Sequence, residues 1–475
     1  MLSHTSFDEK PSLARRMDAV VAAGGLPLAS KAVQNNPGHV GVQASGLGMI
    51  GSIARNVEHA ARVALSGGVT MAVSGLQIHD GHESVQEKAL EVLHRIAKVD
   101  AVARSSVVDA GGILLAARAL QLHATHSGVQ DHGLRVLCNL AIGSIHTDQV
   151  VEAGGVALAV AALKNHSNDL GVQTNALCLL RNLAYGPQDT TAVVAADGIR
   201  LAIAALKRHS GCESVQRAGL GLLRNIAGLE AHTATVEGCG GAALAIEALR
   251  AHQGHPGVVE CSLGLLKSLT ALKGECTNEK GTCKALMDDS KAGVSLVLEM
   301  LRKYKDFTGV QKNGLGVLRN LAGRKIFMEA MSKTDAVQAA LTALTLHDEQ
   351  TGVLRSALGL LSHLMTLDRT NIVTKGGVAI AVNALQKCPH SAGVQESGLR
   401  LLMEVARDPM HTQLVGSEGG VTLAIDAMCK HPLQENVQEM ALVLLRKLAH
   451  SSQPPIYPDT RNKEDRVTAI TPSVS

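Results

Sequence analysis

Histidine recurs through this 475-residue chain at a spacing that invites a chemical reading. His79, His123, His166, His209, His252, His347 and His431 each fall where an apolar helical pattern gives way to polar residues. An imidazole can ligate a metal, titrate near neutrality or bond a backbone group. Ligands of one metal must converge within a few ångströms, whereas these histidines are separated by 43 residues or more. Each is therefore expected to act alone, capping the last carbonyls of its own helix with help from the dipole when protonated. The nine cysteines are scattered singly, with no CxxC pair, which favours a reducing compartment. Cys276 and Cys283, within LKGECTNEKGTC, lack the partners of a zinc site. No GxxxxGK[ST], HExxH, GxSxG or EF-hand loop occurs. The run from Gly238 to Gly241 lacks the preceding strand that a dinucleotide loop requires. Catalytic, cofactor and metal sites are all expected to be absent.

Composition points the same way. Only six residues are aromatic, with no Trp, while 46% of the chain is hydrophobic. The core must then be aliphatic, and base-stacking platforms and aromatic cages are excluded. With 45 Lys and Arg against 42 Asp and Glu, the formal charge is +3, too near neutral to suggest nucleic acid or an anionic membrane. No apolar run reaches the ~18 residues of a membrane span. The opening MLSHTSFDEKPSLARR has no apolar core segment, so no signal peptide is expected. These features suit a cytoplasmic or nuclear protein.

The elements that position these residues come from an internal repeat. A Val-Gln pair recurs at Gln43, Gln86, Gln130, Gln173, Gln216, Gln311, Gln395 and Gln438, degenerating at Val259 and Leu354. The steps are 43, 44, 43, 43, 43, 52, 43, 41 and 43. A Gly-Gly pair ending at Gly25, Gly68, Gly112, Gly155, Gly241, Gly377 and Gly420 keeps the same register, with variants at Gly198, Gly293 and Ala336. Two markers in lockstep define ten units. In residues 143–185 a short helix stops at Gly154-Gly155, where Gly can take the left-handed cap. A second helix carries Val156, Val160 and Leu163; a third presents Val172, Leu177, Leu180 and Ala184. Neither can hide its stripe alone, so neighbouring units must stack. An N-terminal tail at 1–11 is expected to precede a solenoid at 12–450. Its repeats fall near 12–55, 56–98, 99–142, 143–185, 186–228, 229–271, 272–323, 324–366, 367–407 and 408–450. The long step places about nine extra residues near 272–283, read as a tolerated projecting loop.

Three helices per unit, Gly-Gly after the first and VQ-x3-L-x2-L-x-N-L-A in the third resemble armadillo repeats. The wording is also similar to armadillo regions of leucine-rich-repeat kinases and protist proteins, although no kinase motifs follow. The resemblance implies an all-α, right-handed α-solenoid of about ten three-helix repeats, whose third helices line a concave groove for extended peptides. It makes the chain a non-enzymatic interaction scaffold or adaptor. The family's groove Asn, nine residues after the Gln, corresponds to Asn139, Asn182, Asn225 and Asn320. An amide that donates and accepts matches a peptide unit's own pair; the competing role is a bond to a loop of the next repeat. Import receptors of the family place Trp four residues before that Asn. Here those slots hold Gly48, Glu91, Arg135, Cys178, Gly221, Gly264, Gly316, Gly359, Arg400 and Val443, so basic cargo peptides are disfavoured.

Charge favours the opposite partner. Across the slots five, eight and nine residues after the Gln stand nine basic residues, among them Arg135, Arg181, Arg224, Lys267 and Arg319, against only Glu91 and Glu404. Such a strip suits extended protein segments that are acidic or phosphorylated. The alternatives are a solvated ridge whose Arg stems cover the adjacent helix and a divergent nuclear import adaptor for basic cargo. Residues 451–475 leave the pattern and read as disordered. Within them Pro454, Pro455 and Tyr457 fit the PPxY pattern that WW domains bind.

Overall fold

The computed structural model describes residues 13–143, 145–271, 282, 286, 292–332 and 334–450. The expected N-terminal tail, most of the insertion with Cys276 and Cys283, and the tail carrying Pro454, Pro455 and Tyr457 lie outside them. Among the described residues every regular element is a helix, and none is long and apolar enough to cross a membrane. The chain divides into two compact units, Met1–His252 and Gln253–Ser475. The first holds five helix triplets and the first two helices of a sixth; the second continues from Pro256–Thr270.

The Gly pair shows how local sequence sets the triplet. In the fourth unit the first helix, Thr147–Glu152, gives way to Gly154 at φ 81° before the second helix, Gly155–Asn165, begins. That left-handed conformation suits Gly, yet the fifth unit holds it with Asp197 at φ 73°. The second glycine is kept there as Gly198, because space is what matters at that position. A Cβ at Gly155 would stand 2.7 Å from the Val150 carbonyl oxygen, whereas Gly154 has open space around it. We expect Gly154→Ala to cost about 1 kcal/mol. Gly155→Ala should cost about 2–3 kcal/mol despite its ordinary φ, and urea denaturation of the two variants will show the order.

The Val-Gln marker is also explained. Gln173 is buried, and its Nε2 donates to Leu163 O at 2.9 Å and His166 O at 3.1 Å, ten and seven residues back. The same double bond is made by Gln43, Gln86, Gln130, Gln216, Gln311, Gln395 and Gln438. Gln thus ties the third helix to the frayed end of the second, where carbonyls have no helical partner.

The histidines accordingly do something other than expected. Each terminates the second helix, but its ring reaches back one unit instead of capping. His166 Nε2 stands 2.8 Å from Ala124 O, and His79, His123, His209, His252, His347 and His431 each bond a carbonyl 42 or 43 residues earlier. A carbonyl only accepts, so Nε2 carries the proton. Where Tyr304 replaces His, its hydroxyl donates to Gln253 O at 2.6 Å.

The third helices are the spine. In Leu170–Leu183, Asp169 accepts from Val172 N to cap the start. Val172, Leu177 and Leu180 are fully buried as expected, and so are Ala176, Leu179 and Leu183. The buried surface is wider than one stripe because this helix packs against third helices on both sides. Each such Leu contributes roughly 1.5–3 kcal/mol through burial. The 41-residue step has a visible consequence too. Two residues short, the third helix of one unit runs into the first helix of the next as Thr351–Thr374, broken only at Asp368 (φ −143°, ψ 44°).

A candidate partner-binding groove

The expected site residues of the first unit stand on three successive third helices, Ser127–Leu140, Leu170–Leu183 and Glu213–Ile226. Asn139, Asn182 and Asn225 form a ladder between them. Asn139 Nδ2 donates to His94 O at 2.9 Å, Asn182 to Cys138 O at 3.0 Å, and Asn225 to Arg181 O at 3.0 Å. In the second unit Asn320 donates to Lys267 O at 3.1 Å and Thr270 Oγ1 at 3.2 Å. The donor half of each amide therefore holds the preceding third helix. One N–H of each amide is thereby committed to the helix, which differs from the two-way pairing expected of a peptide ligand; at Asn139 and Asn225 the second N–H and the carbonyl oxygen keep capacity for one.

The basic strip is less uniform than the slot count implied. Arg135 is exposed and pairs with Asp131 at 3.2 Å, Arg95 with Glu91 at 2.6 Å, and Arg400 with Glu396 at 2.8 Å. Asp131 and Glu396 sit one residue after the Gln, a slot outside the count. Arg181 and Arg224 make no ion pair among the described residues; Arg181 Nη2 donates only to Asn182 Oδ1, at 3.4 Å. In the second unit Lys267 and Arg319 lie with their stems over the next third helix. Their Cδ atoms are 2.8 and 2.6 Å from where Gly316 and Gly359 would carry a Cβ. Those glycines make room for the aliphatic stems. Burial, then the neighbouring Arg355 charge, holds the Arg319 guanidinium below its usual range, opposed by Glu396.

Arg319, Arg446 and Lys447 likewise make no ion pair among the described residues, but Arg181 and Arg224 are set apart by sharing one cleft. Both line a cleft of about 650 Å³ with Asn182, Asn225, Tyr185, Asp148 and Asp189. Tyr185, one of three tyrosines in the chain, is 83% exposed. Sequence reasoning missed it, although an aromatic three residues after a groove Asn is conspicuous in a chain this poor in aromatics. Among the described residues no cluster of three or more His, Cys, Asp or Glu is arranged to hold a metal.

One groove-slot residue titrates abnormally. His94, eight residues after Gln86, is buried, stacks on His132 at 5.1 Å, and its Nε2 makes no hydrogen bond. Burial, then the charges of His132, Arg135 and Arg95, lowers its pKa from 6.5 to about 2. A depressed histidine stays neutral when folded while the unfolded chain takes up a proton, so stability is lost as pH falls below 6.5. Between pH 7 and 5 the protein should lose about 2 kcal/mol through this group. Urea denaturation of His94→Leu at both pH values should show that increment gone.

Residues 144–185 match the armadillo/beta-catenin-like repeat family model. No curated protein sequence matches the chain. Among solved structures, an engineered protein is similar at 25% identity and TM-score 0.67, over 89% of this chain and 99% of that one. A structure from work on a phosphorylation switch controlling the interaction between cadherin and beta-catenin shares the fold at 16% identity and TM-score 0.50, over 94% of each chain. A designed armadillo repeat protein aligns at 20% identity and TM-score 0.44, over 51% of this chain and 99% of that one.

Proposed function

As a chain built of armadillo repeats, the protein is, we propose, a non-enzymatic interaction scaffold that binds extended acidic or phosphorylated segments of other proteins. The observation that carries this reading is the cleft on repeats four and five. There Arg181 and Arg224, without carboxylate partners, stand beside Asn182, Asn225 and the exposed ring of Tyr185. A guanidinium holds a carboxylate or phosphate through two parallel hydrogen bonds. The Asn oxygens accept from a passing backbone N–H, and the Tyr185 ring gives an amphipathic surface for apolar neighbours. Asp148 and Asp189, which line the same cleft, favour a ligand whose acidic residue is flanked by a hydrogen-bond donor. The fold shared with a structure from work on the interaction between cadherin and beta-catenin accords with a protein partner.

Fluorescence anisotropy separates this from the import-adaptor alternative. Labelled peptides rich in Asp and Glu, or carrying phosphoserine, should bind roughly tenfold or more tightly than a Lys-rich peptide, a gap of about 1.4 kcal/mol. Their affinity should fall as salt is raised, since rim charges are screened. Tighter binding of the Lys-rich peptide would instead return the import-adaptor reading.

A further inference from the structure

Two cysteines meet where adjacent third helices of the first unit pack together. Cys138 lies eight residues after Gln130 on Ser127–Leu140; Cys178 lies five residues after Gln173 on Leu170–Leu183. Other repeats show what these two slots do. Lys267 Cγ stands 3.2 Å from the Cβ position of Gly316, and Arg319 Cγ 3.3 Å from that of Gly359, in the same pair of slots. The register therefore sets the γ-atom of one helix against the β-atom of the next, within reach of a bond between two γ-sulfurs. Asn182, one turn beyond Cys178, locates the other thiol: its Nδ2 is 3.4 Å from Cys138 Sγ. Both cysteines are half-buried and neither is bridged.

The surroundings divide the roles. A hydrogen bond from Cys138, then the charges of Arg181, Arg217 and Arg135, lowers the Cys178 thiol against the opposing effect of burial. The same shared proton, with burial, raises Cys138. Cys178 is the thiolate and Cys138 holds the proton, the arrangement of an attacking and a resolving thiol.

We propose that Cys138 and Cys178 are a reversible modification site, a dithiol that a hydroperoxide oxidises to a disulfide across the two helices. The Cys178 thiolate attacks one peroxide oxygen; an S–O bond forms, the O–O bond breaks, and the leaving oxygen takes a proton to give water or an alcohol. Cys138 then attacks that sulfur, the S–S bond forms, the S–O bond breaks, and the displaced hydroxide takes the Cys138 proton and leaves as water. Two electrons pass from the thiols to the peroxide.

The test treats the folded full chain with hydrogen peroxide, blocks remaining thiols with N-ethylmaleimide and analyses a non-reducing digest by mass spectrometry. The expected product is one peptide pair joined through Cys138 and Cys178, separated again by dithiothreitol. In Cys138→Ser, with an unchanged circular dichroism spectrum, dimedone should label Cys178. Oxidation of Cys178 to sulfinic acid while Cys138 stays alkylated would overturn the proposal. So would oxidation of exposed Cys239 and Cys429 with both groove thiols untouched. The experiment reads thiols alone, so its failure leaves the acidic-ligand reading standing.

Discussion

Reversing Arg181 and Arg224 together to Glu should weaken binding of an acidic peptide by about 100-fold or more. Each guanidinium-to-carboxylate hydrogen bond is worth roughly 1.5–3 kcal/mol, and every 1.4 kcal/mol is about tenfold in affinity. Two such losses, with repulsion added between the new carboxylates and the ligand, exceed that bound. Arg135→Glu is the matched control, because Asp131 already neutralises Arg135 at 3.2 Å; it should change affinity only a few-fold. Anisotropy titrations of both variants decide the matter. An effect of the double reversal no larger than that of the control would remove the cleft from the binding site.

The second large effect is on stability. In Gln173→Leu the volume is nearly kept, but the carbonyls of Leu163 and His166 lose their buried donor. Leaving a buried acceptor unsatisfied costs about 1–3 kcal/mol, so the pair should cost about 2–5 kcal/mol. Asn175→Leu on the same helix, whose amide bonds the partly exposed Asp131 carboxylate, should cost less. Urea denaturation followed by circular dichroism compares them, and equal midpoints would show that the Gln bracket adds nothing beyond packing.

The fold was legible because its two markers answer requirements inside one repeat. Gln173 must present two donors at ten and seven residues, and Gly155 must clear the Val150 carbonyl. Few other residue types meet those conditions, so Val-Gln recurs in eight of the ten units and Gly-Gly in seven while neighbours drift. The histidines are as regular but were given the wrong partner. Their acceptor lies one repeat back, and a pattern along the chain does not say which repeat a ring faces. The charges of the groove were half legible. Arg181, Arg224, Lys267 and Arg319 stand in the expected register, but pairing of Arg135 with Asp131 and Arg400 with Glu396 depends on slots outside the count. Tyr185 breaks the pattern, so a search for regularity passed over it. The groove asparagines show the same limit. Their spacing reflects equally a ligand every repeat and a helix every repeat, and the donor half serves the helix.

The backward reach of the histidine and asparagine bonds carries an evolutionary consequence. Each joins a residue to the equivalent part of the preceding repeat, 42 to 45 residues away in uninterrupted units. A duplication or loss of one whole unit by recombination recreates every such bond at the new junction, with no compensating substitution. A change of one residue is absorbed too, since across the 44-residue step His123 still bonds Asp80 O and Asn139 still bonds His94 O, whereas the two-residue shortening leaves its mark in the merged helix Thr351–Thr374. Repeat number is therefore a variable that this architecture can change without rebuilding its junctions.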